Sequence, residues 1–245
     1  MKPFLIGNVK VEIPVALAPM AGYTDSAFRS MCKKFHCGLV FTEVTNAAGI
    51  VHGSKPTLHL LETVPDERPI GAHIYGSDPG IMADAASIIE SLNRFDLIDI
   101  NCGCPVRKIV AKGAGAALMK DPKKIHDIVR AVRERVSLPV TIKTRTGFSE
   151  DSENISEIAH AAEEAGASAI SIHARVASKK HGGSANWKAL ARVKSERSIP
   201  VIGNGGISSA DDALRMLNET NVDAIMIGRA AVGHPWLFEE IHAKL

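Results

Sequence analysis

Eight short runs of β-branched and other apolar residues recur along this chain, at 15–18, 39–42, 70–74, 97–100, 140–143, 169–173, 201–203 and 224–227, with longer helical patterns between them. Each run is almost continuously apolar, as expected of a parallel strand buried on both faces. Alternation of strand and helix demands crossover connections and hence parallel pairing. Eight such units in 245 residues match the roughly 250 residues of a single-domain (β/α)8 TIM barrel, the α/β fold expected here. The punctuation agrees. Asp78-Pro79 opens a helix over 81–92 and Ser208 one over 210–217, as capping residues do. Gly38 and Gly166 follow helical stretches where a left-handed cap would end them, and Pro139 and Pro200 precede strands. Apolar and polar residues alternate over 8–13, which predicts a small hairpin, about residues 8–14, plugging the bottom of the barrel. An open doubly wound sheet is the competing architecture. It needs a Gly-rich dinucleotide turn after its first strand, and Ala18-Pro19-Met20-Ala21-Gly22 is not one.

Composition narrows the function classes. Hydrophobic residues make up 45% and aromatic ones only 4%, so the core is built of Ala, Val, Ile and Leu, the usual filling of barrels. No apolar run approaches the ~20 residues of a spanning helix, and the opening Met1-Lys2-Pro3-Phe4 lacks a secretory stretch; a cytoplasmic protein without a membrane partner is expected. Four cysteines are too few for a disulfide framework. Their spacings, Cys32-x4-Cys37 and Cys102-x-Cys104, do not match zinc sites, so no metal is expected. The first pair falls on a predicted amphipathic helix, where free Cys acts as a small buried hydrophobe. A net charge of +2 predicts no nucleic-acid partner by itself, and basic residues must be sought in local clusters.

A barrel carries its chemistry where each strand ends and its βα loop begins. The first run leads into Pro19, Met20 and Ala21. Polar groups follow the others: His73, then Asp99, Asn101 and Cys104, then Lys143 and Arg145, then His173 and Arg175, then Asn204-Gly205-Gly206, and finally Gly228-Arg229. The last two loops offer close backbone approach, free N–H donors and a cation, after the seventh and eighth strands where barrels hold phosphate. A strand-end Lys143 is either solvated or a fixed cation balancing electron density on a reduced ring. His173 is either a satisfied core histidine or a site residue. The Gly103 and Pro105 flanking Cys104 set its thiol rigidly over the mouth. A protonated thiol there is suited to giving a proton, while Cys102 is expected to face the other way.

At these positions the chain resembles the tRNA-dihydrouridine synthases over 18–241. Ala18-Pro19-Met20-Ala21-Gly22-Tyr23-Thr24-Asp25 with Phe28-Arg29 is similar to that family's opening motif, and Asp99-Ile100-Asn101-x-Gly103-Cys104-Pro105 to its active-site signature. Lys143-x-Arg145-x-Gly147, Ile172-His173-x-Arg175, Ala185-x-Trp187, Gly203-Asn204-Gly205-x-Ile207 and Gly228-Arg229-Ala230 follow in family order.

The resemblance implies FMN held by Pro19, Met20, Ala21, Lys143, Asn204, Gly205, Gly206, Gly228 and Arg229, with His73 and His173 beside it. It also implies hydride transfer from flavin N5 to C6 of uracil, a proton from Cys104 to C5, and NADPH or NADH as reductant. A stacked tRNA base cannot reach such a site, so the uridine must be extruded. The RNA side is expected to use Asn101, Arg145, Arg175, Lys179 and Lys180, within the basic loops Arg107, Lys108, Lys112 and Arg175, Lys179, Lys180, His181.

Two departures stand out. Most bacterial members continue into a helical RNA-gripping domain, and no separate domain of that kind is expected in 1–245; a monomer is the default. The usual Gln on the third strand is His73, and the usual Asp after the seventh-strand Asn-Gly is Gly206. An FMN-dependent dehydrogenase of a free pyrimidine, akin to dihydroorotate dehydrogenase, is the alternative, and a non-catalytic flavin- or RNA-binding protein a further one.

Overall fold

The computed structural model describes residues 2–180 and 182–245, so His181 of the expected basic cluster lies outside the described residues. The strands are β1 (Phe4–Ile6), β2 (Val9–Val11), β3 (Val15–Leu17), β4 (Val40–Phe41), β5 (Thr45–Asn46), β6 (Ile70–Tyr75), β7 (Leu97–Asn101), β8 (Val140–Arg145), β9 (Ala169–His173), β10 (Val201–Asn204) and β11 (Ala224–Ile227). The main helices are α1 (Ser26–Lys34), α2 (Ala47–Val51), α3 (Lys55–His59), α4 (Pro79–Ser91), α5 (Arg107–Val110), α6 (Pro122–Arg135), α7 (Ile155–Glu164), α8 (Trp187–Glu196), α9 (Ala210–Thr220) and α10 (Leu237–His242).

Eight parallel strands run in the order β3-β11-β10-β9-β8-β7-β6-β4. A parallel bridge between Ala16 and Leu39 returns the last strand to the first, with Leu17 N–H donating to Leu39 C=O at 2.9 Å. The expected (β/α)8 barrel is the observed fold. Helices cover the outer face, where Ile98, Ile100, Ile142, Ile170, Ile172 and Ile225 are buried among α-helical residues such as Ile89, Val129 and Leu190. Period-two alternation turns the other residues of each strand inward. No helix among the described residues is long and apolar enough to cross a membrane.

The floor is apolar. Ala16, Ala18, Leu39, Phe41, Leu97, Ala169, Ile202, Ala224 and Met226 form one buried cluster with Ile6 and Val11 of the opening hairpin. The hairpin thus plugs the barrel as expected, but it comprises Phe4–Ile6 paired with Val9–Val11 rather than 8–14. Gly7, at φ +59°, makes the turn against Pro139 and Ser168 below β8 and β9; the alternating stretch supplied only the second strand.

Three local expectations are corrected. Ser209, not Ser208, caps α9, its hydroxyl accepting from Asp212 N–H. Cys37 lies beyond the end of α1, although both it and Cys32 are buried as expected. Gly166 is left-handed at φ +92°, but after α1 that conformation falls to His36 at φ +68°, not to Gly38. Gly38 is required for space, because a Cβ there would overlap the carbonyl of Ile13. Gly38→Ala is therefore expected to cost more than about 2 kcal/mol. Gly53→Ala, left-handed with open space around it, should cost only about 1 kcal/mol; urea unfolding of both variants measures the difference.

Candidate active site

The carboxyl ends of the strands surround a cavity of about 1060 Å3, large enough for a dinucleotide-sized or smaller cofactor together with a base. Its lining brings together Pro19, Met20, Ala21, His73, Asn101, Cys104, Lys143, Arg145, His173, Arg175, Lys180, Asn204, Gly205, Gly206, Gly228 and Arg229. Parallel register explains this convergence. Asn101 stands beside Lys143 and Lys143 beside Ser171, while one rung higher Arg145 stands beside His173 and His173 beside Asn204, so inward side chains ring the mouth in two successive tiers. Lys179 is the exception. It lies off the cavity and pairs with Glu150 at 3.2 Å, because the short 3-10 turn Ala177–Lys179 rotates it away while Lys180 reaches the mouth.

The loop after β3 is held from behind. Arg29, buried in α1, pairs with buried Glu67 at 2.7 Å and donates to Thr24 C=O at 2.6 Å. Thr24 Oγ1 in turn accepts from Met20 N–H at 3.0 Å, which fixes the Pro19–Gly22 backbone at the cavity wall.

The loops after β10 and β11 form an anion-receptive wall. Gly205 and Gly206 have φ of +105° and +81°, and among the described residues their N–H groups have no acceptor. A Cβ on Gly205 would meet the His173 ring at 2.7 Å, so glycine is required there. Trp187, of the Ala185-x-Trp187 segment, steadies this loop by donating Nε1–H to Gly205 C=O at 2.9 Å.

Lys143, Arg145, Arg175 and Arg229 face the same space, and among the described residues none of them is paired with a carboxylate. Burial, aided by Arg145, lowers the Lys143 ammonium to about 8, against the pull of Asp99 and Cys104. Burial likewise lowers Arg145 to about 10, opposed by Cys104 and aided by Arg175 and Arg229. Arg175 is lowered by burial and by Arg229. A site that strains its own cations in this way, beside free N–H groups, fits a phosphate-bearing ligand. A phosphate-bearing flavin fits this donor set of glycine N–H groups and cations.

The β7 loop presents the thiol. Cys104 is half-buried and lines the cavity, whereas Cys102 is wholly buried in the core behind it and its pKa is pushed far up by burial. Gly103 lies so close to the Thr144 backbone that a Cβ would stand 3.0 Å from its carbonyl carbon. Asn101 and Arg145, expected to bind substrate, spend donors and acceptors on the loops themselves. Asn101 Oδ1 accepts from the N–H groups of Gly103 at 3.1 Å and Cys104 at 2.9 Å. Arg145 donates to the carbonyls of Gly103, Val176 and Lys180, tying the thiol loop to the loop after β9. His73, expected beside a cofactor, lines the cavity with both ring nitrogens engaged by Asp99 and Asn101. Arg175 Nη1 lies 3.2 Å from His173 Nε2.

Among the other residues at the mouth, Val106 carried no signal in the sequence. Exposed Tyr23 and Val106 flank the mouth with Arg107, and Tyr75, its phenol pushed up by burial and then by Cys104, stands near the thiol. Tyr75 ends the third apolar run, where strand-end residues are expected to gather; the place of Tyr23 depended on which way its loop turns.

Fold and site together define a (β/α)8-barrel enzyme with an anion-receptive wall facing a thiol. Residues 16–245 match the model of the dihydrouridine synthase (Dus) family. The chain is 40% identical over 236 residues to tRNA-dihydrouridine synthase B of Xanthomonas axonopodis pv. citri, covering 96% of this chain and 71% of that one. It is 40% identical over 246 residues to tRNA-dihydrouridine synthase B of Pseudomonas syringae pv. tomato, covering 100% of this chain and 72% of that one. The chain belongs to the dihydrouridine synthase family. Among solved structures it resembles histamine dehydrogenase from Rhizobium sp. 4-9 (TM-score 0.72, 15% identity, 99% of this chain and 47% of that one). It also resembles 2-naphthoyl-CoA reductase (TM-score 0.78, 12% identity, 99% and 52%). It spans about half of each, and these likenesses concern the fold alone.

The depressed lysine has a consequence for stability. Because Lys143 releases its proton at about 8 when folded and near 10.4 when unfolded, the folded state binds fewer protons between those values, and stability rises with pH there. Lys143→Met should therefore stabilise the ligand-free protein near neutral pH, with the gain shrinking as the pH rises through that window. Denaturant unfolding of both proteins at neutral and alkaline pH measures it.

Proposed function

We propose that the protein reduces uridine in tRNA to 5,6-dihydrouridine, using FMN reloaded by NADPH or NADH. The observation that carries this reading is the opposition, across one cavity, of a half-exposed thiol and a carboxylate-free wall of cations and glycine N–H groups, in a member of the dihydrouridine synthase family. Bound FMN supplies the hydride that C6 of the uracil receives.

The chain supplies the rest. Adding hydride to the conjugated C5–C6 bond drives negative charge toward C5 and the C4 carbonyl, and an acid at C5 lowers that barrier. Cys104 gives the proton to C5 and is left as a thiolate. The fields of Lys143 and Arg145, both of which interact with Cys104, stabilise that charge until solvent returns the proton. His173, with Arg175 beside it, is suited to the C4 carbonyl. Pro19, Met20 and Ala21 pack along the ring, and Gly205, Gly206, Gly228 and Arg229 take the phosphate, while Asn204, expected beside them, donates to Met226 C=O at 2.7 Å and accepts from Lys143 Nζ at 3.3 Å, holding that lysine in place.

The uridine must leave its stack to enter. Lys180, Arg175 and Arg107 at the mouth meet the RNA backbone. Lys179 contributes less, since it already faces Glu150. The cytoplasm, where tRNA resides, is the place of work. A free pyrimidine is disfavoured, because it would leave these mouth cations without a role.

Cys104→Ala should retain FMN and still accept electrons from NADPH, yet lose dihydrouridine formation by about 100-fold or more; Cys102→Ala should not. Mass spectrometry of treated tRNA reads this, and a Cys102 variant as inactive as the Cys104 variant would overturn the assignment. Arg229→Ala should weaken FMN by about tenfold or more relative to riboflavin, as fluorescence titration would report. Lys180→Ala should reduce the salt slope of tRNA binding by about 1, and Lys179→Ala by less.

A further inference from the structure

Below the cavity, His73, Asp99 and Thr141 occupy one level on three adjacent strands, each in direct register with the next. Thr141 Oγ1–H donates to Asp99 Oδ1 at 2.6 Å, and the other carboxylate oxygen lies 2.6 Å from His73 Nδ1. His73 Nε2 is 2.9 Å from Asn101 Nδ2, and Asn101 Oδ1 accepts from Gly103 and Cys104 N–H. On its far side His73 is held by its own N–H, which donates to Thr42 Oγ1 at 2.9 Å. Exposure of 2% for His73, 0% for Asp99, 3% for Thr141 and 5% for Asn101 leaves water little room to replace any link.

The sense of every link is fixed from the loop end. Backbone N–H groups only donate, so the Asn101 oxygen must face Gly103 and Cys104 and its NH2 must face the imidazole. His73 Nε2 is then an acceptor, its proton sits on Nδ1, and the carboxylate of Asp99 receives it. A second proton, on Nε2, would set two donors against each other. Relief would require the amide to turn over, which would present NH2 to the N–H groups of the thiol loop and release it. We propose that His73, uncharged and protonated on Nδ1, is the positioning residue for Cys104, acting through Asn101. The imidazole's second proton and a seated thiol are mutually exclusive. Among the described residues, the ionisable groups coupled to this ring are Asp99 on β7, bonded to it, and Lys143 on β8 and Cys102 after β7, which both act on Asp99; Tyr75 and Arg145 act on Cys104 above; β4's end contributes the Thr42 hydroxyl.

This inference rests on the reading of Cys104 as proton donor, and its test separates the two. Two quantities are measured on the FMN-loaded wild type and on His73→Gln and His73→Ala: the iodoacetamide alkylation rate of Cys104, which needs no RNA, and single-turnover dihydrouridine formation as a function of pH. Glutamine can accept from Asn101 through Oε1 but cannot take a second proton near neutrality. Product formation by the wild type should fall by roughly tenfold or more on the acid side. His73→Gln should keep most of the rate and lack that acid limb. His73→Ala, with Asn101 unheld, should lose about 100-fold and show an altered Cys104 alkylation rate that His73→Gln restores. An acid limb that persists in His73→Gln, or alkylation unchanged in His73→Ala, overturns the positioning role. Product formation surviving in Cys104→Ala would instead overturn the proton-donor reading, and the alkylation comparison would still decide the role of His73.

Discussion

Closure of the parallel ladder governs everything else in this molecule. Once β3 pairs with β11 on one side and bridges to Leu39 on the other, all eight strands must point the same way, and their carboxyl ends share a rim. Parallel register then sorts the inward residues into levels: an apolar floor, a buried hydrogen-bonded tier of His73, Asp99 and Thr141, and a cationic mouth. Each level is more polar than the one beneath it. The gradient follows desolvation cost, because an unpaired charge is tolerable only where water or an incoming anion can reach it.

The cations at the mouth and the carboxylate of Asp99 are two answers to the same electrostatic problem. Asp99 is fully buried and is satisfied from both sides by Thr141 and His73. Lys143, Arg145 and Arg175 are not satisfied by any carboxylate, and burial and mutual repulsion lower all three. Such an arrangement costs stability in the empty protein and favours an anionic occupant, so affinity is gained from strain relieved as well as from contacts made. Two neighbouring loops of the rim are braced independently of any ligand, by Arg29 and Glu67 behind the loop after β3 and by Trp187 behind the loop after β10. Little reorganisation remains for the ligand to drive.

The barrel was legible in the sequence because strands buried on both faces are written as continuous apolar runs, and the strand-end rule then located Cys104, Lys143 and the glycine loops without knowledge of contacts. What escaped depended on geometry that no single segment encodes. Gly38 reads as a helix cap, yet its constraint is the carbonyl of Ile13 on another segment. Lys179 and Lys180 are neighbours in a basic stretch, and only the phase of a short turn separates the one at the cavity from the one at Glu150. His73 reads as a replacement for a flavin contact, because its engagement by Asp99 and Asn101 arises from cross-strand register. Asn101 and Arg145 were found as site residues, but their commitment to loop carbonyls and N–H groups was invisible from composition or spacing.

The hairpin that seals the floor also sets the traffic through the molecule. With Ile6 and Val11 packed into the base of the barrel, the chamber opens at the carboxyl ends of the strands. On the proposed reaction, the nicotinamide that delivers electrons and the RNA that receives them both use that opening. On that reading one entrance serves both half-cycles, and the RNA and the reductant take turns at it.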